Sequence, residues 1–308
     1  MPTPAAAADP LSEGTHSLET QGIVLRYHVY GTGPVCVAHS GGPGITWDYL
    51  RAPALEAHLT MVYLEPVGSG GSSRLPSHPN GYTRARYSEL LAALIDHLGV
   101  PRVHLLGHSH GGFVAQYHAL YRPDRLAGVI LYESAPVTGP EHAAEAMRLV
   151  GQFAARNDGH PQLVGVLDAF AAIPAITSDE QMQAVARGLL PAYFADYWGH
   201  EAALAPLRES LTATYISGLD EYGAPEIVDD REALGALSVP TLVVVGRFDV
   251  ICGVRWAEQL HKLIPGAQLL ILEHSGHFGH IEEPELFSQA VTAFVDATVD
   301  SPWPPSAT

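Results

Sequence analysis

At 308 residues, with 47% hydrophobic and 16% charged side chains, the chain has the composition of a folded globular protein and not of a disordered one. A formal net charge of -17 opposes binding to nucleic acid, which needs a basic face to meet phosphate, and to anionic membrane surfaces, so neither is an expected partner. No apolar run reaches the roughly 18–20 residues of a membrane helix.

The first residues, Pro2–Pro10, are Ala/Pro-rich and lack the basic start and apolar stretch of a signal peptide. Ile23–Tyr30 then alternates apolar and polar side chains and ends at Gly31-Thr32-Gly33-Pro34, a turn signal. Val35–Ala38 and Met61–Leu64 are short apolar runs, expected as buried strands. Tyr87–Leu98 places Leu90, Leu91, Leu94, Ile95 and Leu98 at helical spacing, and Gly99 follows as a C-terminal cap. Val103–Leu106 is a third buried strand, followed by a helix over Phe113–Tyr121, and Val129–Tyr132 is a fourth.

From Pro136 to Leu234 that rhythm stops. The stretch is Ala-rich and helix-prone, is broken by Pro161, Pro174, Pro191, Pro206 and Pro225, and shows no buried-strand pattern. Alternation then resumes with strands at Thr241–Val245 and Leu269–Leu272 and helices at Val254–Leu263 and Pro284–Val295. The Ser301-Pro302-Trp303-Pro304-Pro305 tail cannot continue a helix. The expected class is α/β: a mostly parallel sheet covered by helices on both faces, with a helical cap inserted. The expected division is a discontinuous core of residues 1–135 and 235–308 and a cap of residues 136–234. Two cysteines, Cys36 and Cys252, cannot staple a chain of this size, and they are expected as reduced thiols in a cytoplasmic protein.

Chemistry concentrates at the ends of the expected strands. Gly107-His108-Ser109-His110-Gly111-Gly112 joins a strand to a helix. A serine flanked by glycines at such a turn is the pattern of a nucleophile elbow, in which the hydroxyl projects above the sheet. Serine is a weak nucleophile at neutral pH and needs a base, which needs a carboxylate to orient it. Asp249 follows the strand Thr241–Val245, and His277 follows the strand Leu269–Leu272, with His274 and His280 as competitors for the base. The chain order Ser109, Asp249, His277 is that of α/β-hydrolases. An oxyanion hole needs backbone N–H groups aimed at developing negative charge, and the candidates are His110, Gly41 and Gly42. The last two belong to His39-Ser40-Gly41-Gly42-Pro43-Gly44, the loop after Val35–Ala38. Candidate substrate-binding residues are Tyr193, Phe194 and Trp198 in the cap and His108 beside the serine.

Gly41-Gly42-Pro43-Gly44, the elbow, Phe248-Asp249 and Ser275-Gly276-His277-Phe278, with His280-Ile281-Glu282-Glu283-Pro284 after it, together resemble an α/β-hydrolase of the proline iminopeptidase-like group. The resemblance spans roughly residues 20–135 and 235–297 and implies a capped serine hydrolase without a cofactor. The chain departs from that group in three places. Ser40 stands where the group has histidine, Val67 stands where it has arginine, and Leu189-Leu190-Pro191-Ala192 before Tyr193-Phe194 holds no carboxylate. A peptide's α-ammonium taken out of water needs a paired anion, so these departures point away from peptides. The leading reading is hydrolysis of a small ester, lactone or activated amide through an acyl-enzyme. A prolyl aminopeptidase-like activity using another cap acid (Glu141, Glu145, Asp196, Glu201, Asp220 or Glu221) is the second, and a non-catalytic ligand-binding fold is the third. Carbon–carbon bond hydrolysis by the same residues stays open.

Overall fold

The computed structural model describes residues 9–299, so residues 2–8 of the Ala/Pro-rich start and the Ser301–Pro305 tail lie outside it. Eight strands form one sheet: β1 Gly14–Thr20, β2 Ile23–Tyr30, β3 Val35–His39, β4 Thr60–Glu65, β5 Val103–His108, β6 Leu126–Tyr132, β7 Thr241–Gly246 and β8 Gln268–Leu272. Their spatial order is β1-β2-β4-β3-β5-β6-β7-β8. From β4 onward neighbours pair in parallel, whereas β1 with β2 and β2 with β4 pair antiparallel. The helices are α1 Pro53–Glu56, α2 Arg84–His97, α3 His110–Tyr121, α4 Pro140–Arg156, α5 Leu163–Ala172, α6 Asp179–Leu189, α7 Glu201–Ser210, α8 Val254–Leu263, α9 Gly279–Glu282 and α10 Pro284–Thr298.

The near-continuous apolar runs of β4, β5, β6 and β7 are buried along their whole length, as strands covered on both faces must be. Alternate side chains separate to opposite faces. Val37, Val62, Val129 and Val243 join Leu91 and Leu94 of α2, Val114 of α3 and Leu260 of α8 in one core. Their neighbours Cys36, Met61, Ile130 and Leu242 join Leu55 of α1 and Phe287 and Val291 of α10 in the other. The Thr83 hydroxyl caps α2 by accepting the Arg86 N–H (3.2 Å), and Gly99 follows that helix at φ +71, the left-handed conformation of a helix-ending glycine.

Strand β1 was not expected from the sequence. Gly14-Thr15-His16-Ser17-Leu18-Glu19-Thr20 has one large apolar residue, and the segment is held by backbone pairing to β2. It sits at the sheet edge with intermediate and exposed positions alternating, so no apolar pattern is needed there. The other expected strands fall on observed ones, and the helix after the elbow begins at His110 instead of Phe113.

Helices α4 to α7 form the cap, inserted between β6 and β7, and no named strand falls there among the described residues. Parallel strands bring their C-terminal ends to one edge, where open α/β sheets bind ligands. That edge collects the turn after β5, the loop after β3, and the loops after β7 and β8 beneath the cap.

Among the described residues, several buried histidines have hydrogen-bond partners suited to the neutral ring. His104 meets Thr298 Oγ1 (2.8 Å), His118 meets Ser88 Oγ (2.9 Å), His39 meets the Ser40 carbonyl (3.0 Å) and His280 meets the Tyr49 carbonyl (2.7 Å). Burial lowers each from 6.5 to about 4. An unfolded chain therefore binds more protons than the folded one between those values. The stability contributed by these rings is complete above about pH 6.5 and declines as pH falls towards 4. Thermal melts are expected to show the melting temperature dropping steeply over that interval, and a flat profile would overturn this account of the buried rings.

Candidate active site

Ser109 lies between β5 and α3 with φ +53 and ψ -116, a region that side chains other than glycine rarely enter and that costs about 1–3 kcal/mol. Its N–H donates to the Tyr132 carbonyl (2.9 Å) and its carbonyl accepts the Gly112 N–H (2.9 Å), so β6 and α3 hold the turn from both sides. A Cβ on Gly107 would stand 2.2 Å from the Gly111 carbonyl oxygen, and one on Gly111 would stand 2.2 Å from the His39 carbonyl oxygen. Those approaches explain why glycine is required on each side of the serine.

The loop after β3 is linked to the elbow by a chain of hydrogen bonds. The Gly41 N–H donates to the Tyr49 hydroxyl (2.7 Å), which meets Nδ1 of His108 (2.7 Å), and Nε2 of His108 meets the His277 carbonyl (2.9 Å). A carbonyl can only accept, so His108 carries its proton on Nε2 and accepts the Tyr49 O–H hydrogen bond at Nδ1. Burial and the neighbouring His277 push His108 well below 6.5, which agrees with a neutral ring. Three segments far apart in sequence are thereby joined through one imidazole. Among the described residues the Gly42 amide has no hydrogen-bond partner, and the first amides of α3, starting at His110, have none within the helix.

His277 is anchored by its N–H to the Tyr193 carbonyl of the cap (2.6 Å), and the Tyr193 ring packs on its imidazole with centroids 5.1 Å apart. Two consecutive carboxylates brace the same loop. Glu283 Oε2 accepts from the His274 N–H (2.8 Å) and Ser275 Oγ (2.6 Å). Glu282 accepts from the Gly276 N–H (2.6 Å) and, across to the cap, from the Ala195 N–H (2.8 Å). Burial lifts the Glu282 carboxyl to about 7 in spite of those donors.

Asp249 is fully buried, and its Oδ1 accepts the Ile251 N–H (2.7 Å) while Oδ2 lies 3.0 Å from Nδ1 of His277. The ring N–H is not well aligned with that oxygen, a looseness common in catalytic pairs before substrate binds. Burial works to raise the Asp249 pKa, but the facing His277 ring and the hydrogen bonds around the carboxylate outweigh it and hold the group well below the usual range. Glu133, also fully buried, stands beside this pair, and among the described residues only these three bring metal-ligand-type atoms within 4.8 Å of one another.

Ser109 and His277 line the same cavity of about 150 Å³. Gly41, Gly42, Tyr49 and His108 form its floor, and Ile173, Met182, Val185, Ala186, Leu189, Leu190, Tyr193 and Leu211 of the cap form its walls, with no Asp, Glu, Lys or Arg among them. Of the candidate substrate-binding residues, Tyr193 and His108 line the cavity, although both ring nitrogens of His108 are already bonded. Phe194 and Trp198 do not. Phe194 packs against Tyr197 and Phe278, and Trp198 stacks on Phe153 and His160. Of the competing histidines, His280 has both ring nitrogens occupied by Tyr132 and the Tyr49 carbonyl, and His274 is exposed. The position expected to hold arginine, Val67, is buried in the core, and the nearby Glu65 accepts from the Gly71 N–H and pairs with His28 (2.6 Å).

Sequence reasoning missed Tyr49, Glu133 and Glu282. Glu133 carried a signal, a charged residue directly after a strand of seven buried positions. Tyr49 carried none, because its partners come from three distant segments.

A family model described as the alpha/beta hydrolase fold matches residues 34–284. The chain is an α/β-hydrolase. The hydrolase is 27% identical over 287 residues to a proline iminopeptidase of Saccharolobus solfataricus, a match covering 88% of this chain and 87% of that one. It is equally 27% identical, over 293 residues, to a 2-hydroxy-6-oxononadienedioate/2-hydroxy-6-oxononatrienedioate hydrolase of Klebsiella pneumoniae, covering 91% and 94%. A solved hydrolase of Pseudomonas aeruginosa superposes with a TM-score of 0.70 at 28% identity, covering 91% of this chain and 98% of that one. The relatives span several activities, so the likeness to proline iminopeptidases reduces to membership of the wider family.

Replacing Tyr49 by Phe strands the buried Gly41 N–H and removes the proton that His108 accepts. The expected loss is about 1–3 kcal/mol of stability, measured by urea unfolding. A variant as stable as the parent would show that the hydroxyl does not tie these segments together.

Proposed function

We propose that this hydrolase cleaves neutral esters or lactones of small apolar acids, and activated amides of the same acids, through an acyl-enzyme on Ser109. His277 takes the Ser109 proton as the oxygen attacks the carbonyl, and Asp249 stabilises the imidazolium that forms. The amides of His110 and Gly42 receive the developing oxyanion, and the Gly41 amide, already bonded to Tyr49, holds the loop in place. The His277 proton passes to the leaving oxygen or nitrogen. His277 then deprotonates a water that attacks the acyl carbon, which releases the acid and restores Ser109.

One observation carries the choice of substrate: Ser109 and His277 line a cavity whose cap walls are apolar side chains apart from Tyr193 and which holds no Asp, Glu, Lys or Arg. An aminopeptidase must neutralise an α-ammonium, and a dicarboxylate must meet a cation, before either can leave water. Neither counter-ion lines this cavity, and none of the six cap acids considered for the first role lines it. A cavity of about 150 Å³ is the size that holds a benzene ring, so a compact acyl group fits it. We assign residues 136–234 to the cap and the described residues 9–135 and 235–299 to the core. The buried, unpaired Cys36 and Cys252 support a reducing compartment, and so a cytoplasmic enzyme.

A fluorophosphonate probe is expected to label the protein, and Ser109→Ala to abolish labelling. A panel of p-nitrophenyl esters, lactones and proline arylamides is expected to favour neutral esters or lactones of short acids. Rapid turnover of proline arylamides with inert esters would overturn the substrate assignment, and probe labelling of the Ser109→Ala variant would overturn the nucleophile. Asp249→Asn is expected to lower kcat by roughly 10⁴-fold with an unchanged circular dichroism spectrum. Near-parental activity in that variant would remove Asp249 from the reaction.

A further inference from the structure

A second buried carboxyl lies at the end of β6, and the proposed reaction does not use it. Glu133 follows Tyr132 directly and adopts φ +49, a left-handed conformation uncommon outside glycine. Its N–H donates to the Val244 carbonyl (2.9 Å), and its Oε1 accepts the Gly246 N–H at the tip of β7 (2.8 Å). Those two bonds carry the side chain across the end of β7 to Asp249. Its second oxygen, Oε2, is buried and receives no N–H among the described residues.

Two carboxylates this close, both withdrawn from water, resist ionising together when, among the described residues, only the His277 imidazole contacts the pair, with His108 and His142 farther off. The acidic groups acting on Glu133 are Asp249 in the loop after β7 and Glu282 in α9, with Cys252 and Tyr132 also facing the pair. Asp249 has the His277 ring and the Ile251 N–H to stabilise its charge, whereas Glu133 has one amide. Burial and then the Asp249 charge drive Glu133 well above the usual carboxylate range. Oε2, the oxygen without a donor, is the one left to carry a proton towards Asp249.

We propose that Glu133 is a neutral carboxylic acid whose Oε2–H donates to the Asp249 carboxylate, making it a positioning residue for the acid–base pair. The proposal rests on the hydrolase reading above. Through that bond Glu133 orients the Asp249 carboxylate towards Nδ1 of His277 without adding a second negative charge. A neutral donor in this place has a close mimic. Glutamine offers the same carbonyl to Gly246 and an N–H to Asp249, whereas leucine offers neither.

Glu133→Gln is therefore expected to retain kcat within about threefold of the parent with the same pH profile of kcat/KM. Glu133→Leu is expected to lose at least about tenfold in kcat with little change in KM, and to displace the limb of the profile that reports His277. Infrared spectra give a readout free of turnover. A protonated-carboxyl C=O stretch is expected at about pH 8, where ordinary carboxylates are ionised, and is expected to be lost in Glu133→Gln. That band decides the matter even if Glu133→Leu does not fold or if the enzyme rejects every substrate tried. Its absence from the parent would overturn the proposal, as would a Gln variant as impaired as the Leu variant.

Discussion

The strained backbone at Ser109 is the constraint on which the rest of the site depends. A residue at φ +53 and ψ -116 stays there only if its surroundings leave no alternative. Here β6 binds the turn through the Tyr132 carbonyl, α3 closes it through Gly112, and the loop after β3 presses against Gly111. The parallel core of the sheet makes the strain tolerable: β3, β5 and β6 are buried neighbours in register, so the turn cannot relax without disrupting packing on both faces.

Around that turn the polar groups are arranged in chains. Gly41, Tyr49, His108 and His277 form one, and Tyr49, His280 and Tyr132 form a second that shares the Tyr49 residue. Buried polar groups without partners are costly, so His108 and His280 each have a tautomer imposed by their neighbours. The same logic separates the site's two central buried carboxyls. Asp249 meets the His277 ring and is held below the usual carboxylate range, whereas Glu133 meets an amide and another acid and is pushed above it. Glu282 and Tyr193 add a third tie, which locks the cap segment to the loop carrying His277.

Much of this was legible in the chain. Apolar runs such as Val103–Leu106 and Thr241–Val245 declare buried strands because parallel sheets covered on both faces have no polar side to disguise them. Glycines around Ser109 are legible because steric exclusion leaves no other residue type at Gly107 or Gly111. Edge strand β1 was not legible, because an exposed ladder is held by backbone groups that every sequence possesses. Phe194 and Trp198 read as pocket residues by composition alone, but an aromatic ring packs into a core as readily as it lines a cavity.

Side-chain periodicity and backbone sterics are local, and they were enough to set the α/β class, seven of the eight strands, the presence of a cap, and the placement of Ser109, Asp249 and His277 just past the ends of three strands. Folding in three dimensions was needed to show that Gly41 gives its amide to Tyr49, that His277 and not His274 or His280 meets Asp249, and that Glu133 lies beside them. The apolar character of the cavity above Ser109 likewise emerged only there. Each of those depends on segments tens to hundreds of residues apart arriving at one edge of the sheet, where burial sets which groups carry charge.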